Sequence, residues 1–185
     1  MANRDTPMGL RALRNRNGDF PPVKQYAASS SAIFEGEVVL LSTNGLAIPS
    51  SASLASTVRN ILGVAAAHKP GTAGLKVQVY TDPNQLYVAQ SDDATLVSIT
   101  DYIGRNFKLV ADASGNATTL QSIAEIDGNT GTSVSFVGTG ADAAQPVQIV
   151  ELFKQVGNSD GAVSWGDFVV RILPRYHLFA GSKGV

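Results

Sequence analysis

The sequence predicts an all-β protein, an antiparallel β-sandwich or barrel preceded by an extended N-terminal arm. Three observations carry this. Short apolar runs alternate with polar residues at period two, the mark of strands with one buried face. The runs are separated by Gly, Pro, Asn and Asp clusters that favour turns. Long helical patterns do not alternate with the strands, which disfavours a parallel α/β sheet.

Residues 1–30 stand apart in composition. Arg4, Arg11, Arg14, Arg16 and Lys24 outnumber Asp5 and Asp19, and Pro7, Gly9, Gly18, Pro21 and Pro22 interrupt any long periodic element. The expectation is an extended basic arm on a single domain spanning 31–185; a disordered terminus is the plainer alternative. Val38–Leu41 and Leu46–Ile48 flank Ser42-Thr43-Asn44-Gly45, and Asn-Gly accepts the positive φ angles of a type I′ hairpin turn. Residues 50–60 fit a helix face through Leu54 and Val58, or a serine-rich loop. Ile61–Ala65 is expected as a buried strand, with Gly63 where another backbone approaches closely.

Leu75, Val77 and Val79 alternate with Lys76, Gln78 and Tyr80, and Leu86 and Val88 with Tyr87 and Ala89. Thr81-Asp82-Pro83-Asn84-Gln85 lies between them with strong turn chemistry, so the expectation is a β-hairpin. Leu96–Tyr102 suits a short helical turn stopped by Gly104. Strand character resumes at Asn106–Val110, then at Ser122–Ile126 and Ser133–Val137. Val147–Phe153 and Asp167–Leu173 form two stronger strands, joined through the turn-forming residues Gly157–Gly161.

Composition excludes some functions. There is no cysteine, hence no disulfide frame or thiolate chemistry. No apolar run approaches a membrane span, and no export signal is recognisable at the charged N-terminus. Charged residues make up 16% of the chain, below the usual value of about 25%, and the net charge is −1. Such a surface resists association poorly, which suits one covered by partners and equally an ordinary neutral β protein. The arginines lack interleaved aromatics and the rest of the chain is acidic on balance, so direct nucleic-acid binding is not expected.

Val137-Gly138-Thr139-Gly140-Ala141-Asp142-Ala143 fits G-x-G-x-x-A, with Asp160 near ribose-acid spacing. Gln145-Pro146 leaves no room for the helix that a pyrophosphate site requires, so a flexible connection is the better reading. Asp127-Gly128-Asn129-Thr130-Gly131 opens like a calcium loop but lacks the later oxygen ligands and the closing Glu. Asp82 and the pair Asp92-Asp93 read as a solvated edge. His68 and His177 are the only histidines, and no nucleophile elbow surrounds any serine. Trp165 and Tyr176 read as core or interface residues. The reading is therefore of a non-enzyme, with no catalytic, cofactor or metal residues.

Met1-Ala2-Asn3-Arg4-Asp5-Thr6-Pro7-Met8-Gly9-Leu10-Arg11 resembles the M-A-N-x-D-x-P-x-G-x-R opening of a group of tailed-bacteriophage structural proteins. The likeness continues at Gly36–Val39, Ile61–Val64, Val79–Asn84, Ile103–Asn106 and Val147–Leu152. It closes on Val170-Arg171-Ile172 and His177, with Pro174 and extra residues lengthening the last gap. The resemblance implies a head-decoration (cement) protein: a β-rich subunit, usually trimeric, made in the host bacterial cytoplasm and seated on the outer capsid surface of the virion. It would bridge major capsid proteins, with Arg4, Arg11, Arg14 and Arg16 as the capsid-binding arm. On that reading, deleting residues 1–20 abolishes attachment and leaves the trimer intact. The alternatives are a phage tail or adaptor subunit or a glycan-binding β-sandwich of host attachment, and then a small hydrolase using His177.

Overall fold

The computed structural model describes residues 7–19, 21–50, 60–92, 97–98, 102–110, 118–122, 124–126, 145–154, 162–163 and 165–180. In chain order the strands are β1 (Arg11–Asn15), β2 (Val23–Ala27), β3 (Val38–Leu41), β4 (Ala47–Pro49), β5 (Ile61–Ala65), β6 (Lys76–Tyr80) and β7 (Gln85–Gln90). They continue as β8 (Val97–Ser98), β9 (Asn106–Phe107), β10 (Leu109–Val110), β11 (Glu125–Ile126), β12 (Val147–Leu152), β13 (Ala162–Val163) and β14 (Asp167–Ile172). Two five-stranded antiparallel sheets dominate, ordered β1-β7-β14-β12-β9 and β2-β6-β5-β3-β4. They form an open β-sandwich, as the period-two pattern predicts.

The inter-sheet core follows from alternation. From β7 and β14, Tyr87, Ala89, Phe168, Val170 and Ile172 meet Val38, Leu40, Ile61 and Val64 of the second sheet. Tyr102 lies stacked between Phe107, at 5.1 Å, and Phe168, at 5.6 Å. Tyr176, on the 3₁₀ turn Pro174–Tyr176, closes the same core. Trp165 is half-buried at the entry to β14.

The strands expected as a central hairpin both form, but they do not pair with each other. β6 pairs with β2 and β5, whereas β7 pairs with β1 and β14. Both edges of each strand are therefore taken, and the link crosses from one sheet to the other. The turn chemistry itself holds: Asn84 N–H donates to Asp82 Oδ1 at 2.8 Å and Gln85 N–H to the Asp82 carbonyl at 3.0 Å. A turn sequence reverses the chain locally, and which strands then pair is decided by burial.

The β3–β4 hairpin is present, with a different turn from the expected type I′. Positive φ falls on Gly45 (+74°) and not on Asn44. Gly45 N–H donates to the Ser42 carbonyl, and Ser42 N–H to the Leu46 carbonyl, each at 2.9 Å. This is a type I turn closed by a left-handed glycine, the next hairpin solution after the two-residue loops.

Gly63 behaves as expected. On β5, Leu62 has no partner between the pairs Val39↔Gly63 and Leu40↔Ile61, a β-bulge. The bulge sends Ile61 and Val64 to the inter-sheet core and Leu62 and Ala65 to the opposite face. There they join Ala28, Ile33, Val39, Ala47, Val77 and Val79 in a second apolar cluster.

The segment 28–33 packs into this second cluster, and Lys69 holds it. Ile33 and Lys69 exchange backbone hydrogen bonds of 2.9 and 2.8 Å, and the buried Lys69 ammonium donates to the carbonyls of Ser29 and Ser31. Desolvation lowers the Lys69 pKa. Substituting Lys69→Met keeps the stem but leaves two carbonyls without their donor. We expect a loss of about 2 kcal/mol, with faster amide exchange at Ile33 before the rest of the second sheet.

Residues 1–30 do not stand outside the body where they are described. β1 and β2 are extended, but each is an edge strand of a sheet. Leu10 is fully buried in the inter-sheet core, and its N–H donates to the Gly36 carbonyl at 2.9 Å. Extended backbone with free donors and acceptors completes a sheet edge even when its side chains are polar. Further along, Val97–Ser98 is strand where a helical turn was expected, pairing with β13. Tyr102–Gly104 forms a turn with Gly104 at φ +83°. Asn106–Val110 is split at Lys108 into β9 and β10, and the expected strand Ser122–Ile126 contains β11. Met1–Thr6, Leu54, Val58, Ser133–Val137 and Gly157–Gly161 lie outside the described residues.

Candidate interaction surface

The outer face of the first sheet gathers most of the cations that the sequence singles out. Residues directly opposite on paired strands share a face. One row across the sheet reads Arg14, Leu86, Arg171, Gln148, Asn106, and the next reads Arg11, Val88, Val169, Glu151. Leu86, Val88 and Val169 lie on this outer face yet are buried, so the long side chains around them cover an apolar floor. Arg14 reaches Glu151 at 3.8 Å across β7 and β14, a span of about 14 Å between the two strands. Both partners are more than half exposed, so the pair adds little stability.

Two bulges shape this face. Leu13 falls between the pairs of Ala12 and Arg14 on β1, and Val150 between those of Ile149 and Glu151 on β12. Each extra residue leaves the alternation and stands partly exposed, Leu13 at 38% and Val150 at 37%. Beside the first lies a hollow of about 320 Å³, lined by Leu13, Arg14, Glu151, Phe153, Lys154 and Val169. Beside the second lies one of about 210 Å³, formed by Arg16, Gly104, Gln148, Val150 and Arg171 with the Ile149 backbone strand.

In the smaller hollow the polar groups are ordered. Arg171 Nε–H donates to Gln148 Oε1 at 2.9 Å, and Gln148 Nε2–H donates to the Gly104 carbonyl at 2.9 Å. Burial lowers the Arg171 pKa, and the neighbouring Arg16 charge lowers it further. Arg16 is fixed at its backbone, where its N–H donates to the Asn84 carbonyl at 3.1 Å.

Of the residues expected as a capsid-binding arm, Arg11, Arg14 and Arg16 thus sit on one side of the folded body, and Arg4 lies outside the described residues. Arg171, Gln148 and Lys154 carry no binding role in the sequence reading, although the first two lie in the family-like segments. The signal for Arg171 lies in Phe168-Val169-Val170-Arg171-Ile172, whose alternation puts it opposite the core residues.

The other candidates are placed as follows. His177 is buried, and its Nδ1 accepts from Phe179 N–H at 3.2 Å. His68 lies against the Phe34 ring, 5.3 Å between centroids. The described structure does not bring the two histidines together with a serine, and among the described residues no cluster of His, Asp and Glu has metal-binding geometry. The glycine motif at 137–143, Asp160, the loop at 127–131 and Asp93 lie outside the described residues. Among those residues no helix is long and apolar enough to cross a membrane. No family model matches the chain, and no curated protein is detectably similar to it.

Proposed function

We propose that the chain is a bacteriophage head-decoration protein, a structural subunit that stabilises the outer capsid as a homotrimer bridging major capsid proteins. The motif resemblance along nearly the whole chain supplies the family. The observation that best supports the role is the outer face of the first sheet. It combines a β body, several cations of which Arg14 pairs with Glu151, and apolar residues raised by two bulges. Such a face suits docking on a larger acidic surface. Among the described residues β1 and β2 are edge strands, which offer backbone donors and acceptors for contacts between copies. Three copies hold a shell more firmly than one, because each later contact forms at high effective concentration.

Deletion of residues 1–20 is a poor probe of attachment, since it removes β1 and the core residue Leu10. Charge reversal is the better one. Arg11→Glu combined with Arg14→Glu is expected to weaken binding to undecorated phage heads by about tenfold or more, with the solution mass unchanged. Lys76→Glu, on the second sheet, should leave binding intact. Equal loss in both variants would mean that net charge, and not this face, governs attachment.

Antibody labelling of virus particles separates the reading from its alternatives. Label distributed over the whole head supports decoration. Label at one vertex or along the tail would favour an adaptor or attachment subunit.

A further inference from the structure

We infer that the cleft formed by Arg16, Gln148, Val150 and Arg171 is a binding site for a glutamate side chain presented by a protein partner. Two guanidinium groups share a hollow of about 210 Å³, and among the described residues neither has a carboxylate within ion-pair distance. Like charges held together in a partly dry hollow are unfavourable until an anion joins them. The geometry is prepared for that anion. Gln148 occupies Arg171 Nε and is itself tied to Gly104, which orients the guanidinium and leaves its two terminal nitrogens to form a fork. A planar carboxylate fits such a fork through two parallel hydrogen bonds.

Val150 distinguishes the class of anion. The β12 bulge pushes it out of the strand alternation, so an apolar surface lies beside the two cations. A glutamate offers two methylene groups to that surface and its carboxylate to the arginines. Inorganic phosphate has no apolar stem and gains nothing from Val150. A polyanion such as nucleic acid likewise has no apolar stem for Val150, and it would approach a chain whose net charge is −1. The cleft lies on the face proposed above for capsid docking and deepens that reading, yet the two can fail separately: a chain that ignored phage heads could still bind glutamate here.

The test follows the Nε–Hε signals of Arg16 and Arg171 by NMR during titration with N-acetyl-glutamate N-methylamide. Parallel titrations use the uncharged glutamine analogue and inorganic phosphate. The expected result is a saturable shift of the Arg171 signal in the millimolar range with the glutamate derivative and none with the glutamine analogue. Arg16→Gln, at an exposed position, should keep the backbone spectrum and weaken the response about tenfold. Val150→Ser should weaken the glutamate response and not any response to phosphate. Absence of any shift up to about 0.1 M, or an undiminished response in Arg16→Gln, overturns the site. Phosphate binding as tightly as the glutamate derivative overturns the choice of ligand.

Discussion

Replacing Gly63 with alanine is expected to destabilise the fold by at least about 3 kcal/mol, the upper range for an overpacked core. The added Cβ would lie 1.9 Å from the Tyr80 carbonyl oxygen, with Val79 Cγ1 at 3.0 Å. The nearest atom is backbone of a paired strand, which cannot rotate aside as a side chain would. Gly63 also has φ +152°, a conformation that L side chains rarely adopt. Relief requires β5 and β6 to separate, and that opens both apolar clusters, since Ile61 and Val64 serve one and Leu62 and Ala65 the other. For a chain of this size the change corresponds to a fall of about 6–12 °C in Tm. Thermal unfolding of Gly63→Ala beside the parent measures it. A fall under about 2 °C would mean that β5 and β6 are not held as described.

The second large effect is a pair of opposing pH terms. Glu37 is buried, and desolvation raises its pKa from 4.5 to about 7, although Phe34 N–H donates to its Oε2 at 2.9 Å. The folded protein therefore holds this proton more tightly than the unfolded chain does. Its contribution is fully favourable below pH 4.5 and is lost as pH rises through about 7, a total of about 3 kcal/mol. His177 acts in reverse. Burial lowers its pKa from 6.5 to about 4, partly offset by Asp82, so the fold keeps it neutral. Its term is fully favourable above pH 6.5 and is lost as pH falls through about 4, again by about 3 kcal/mol.

Between pH 4.5 and 6.5 the two slopes cancel, at about 1.4 kcal/mol per pH unit each. Denaturant unfolding across that range should show Glu37→Gln gaining stability relative to the parent as pH rises. His177→Asn, which keeps an acceptor for Phe179 N–H, should lose stability relative to the parent over the same rise. Variants that track the parent at every pH would show that neither group is buried in its stated ionisation state.

Several of these features are legible in the sequence because they are local. Val38–Ile48 carries its own strands and turn residues, and Gly63 inside an apolar run announces a close backbone. The Rows of the outer face follow once the alternation of Phe168–Ile172 is placed on a sheet. Pairing is another matter. The alternations before and after Asp82-Pro83-Asn84 define two strands, but nothing in them says that each already has two neighbours. Arg11-Ala12-Leu13-Arg14-Asn15 has no apolar periodicity, so its place in a sheet rests on backbone bonds and on Leu10 ahead of it. The Arg16–Arg171 cleft joins the two ends of the chain through β7 and β14, and only the strand order brings them together.

Undecorated heads of a tailed phage, mixed with the purified chain and sedimented, give the most direct test. Saturable co-sedimentation of a trimer at a fixed ratio to the major capsid protein is expected, weakened by Arg11→Glu with Arg14→Glu. A monomer that stays in the supernatant at every concentration would rule out the decoration role.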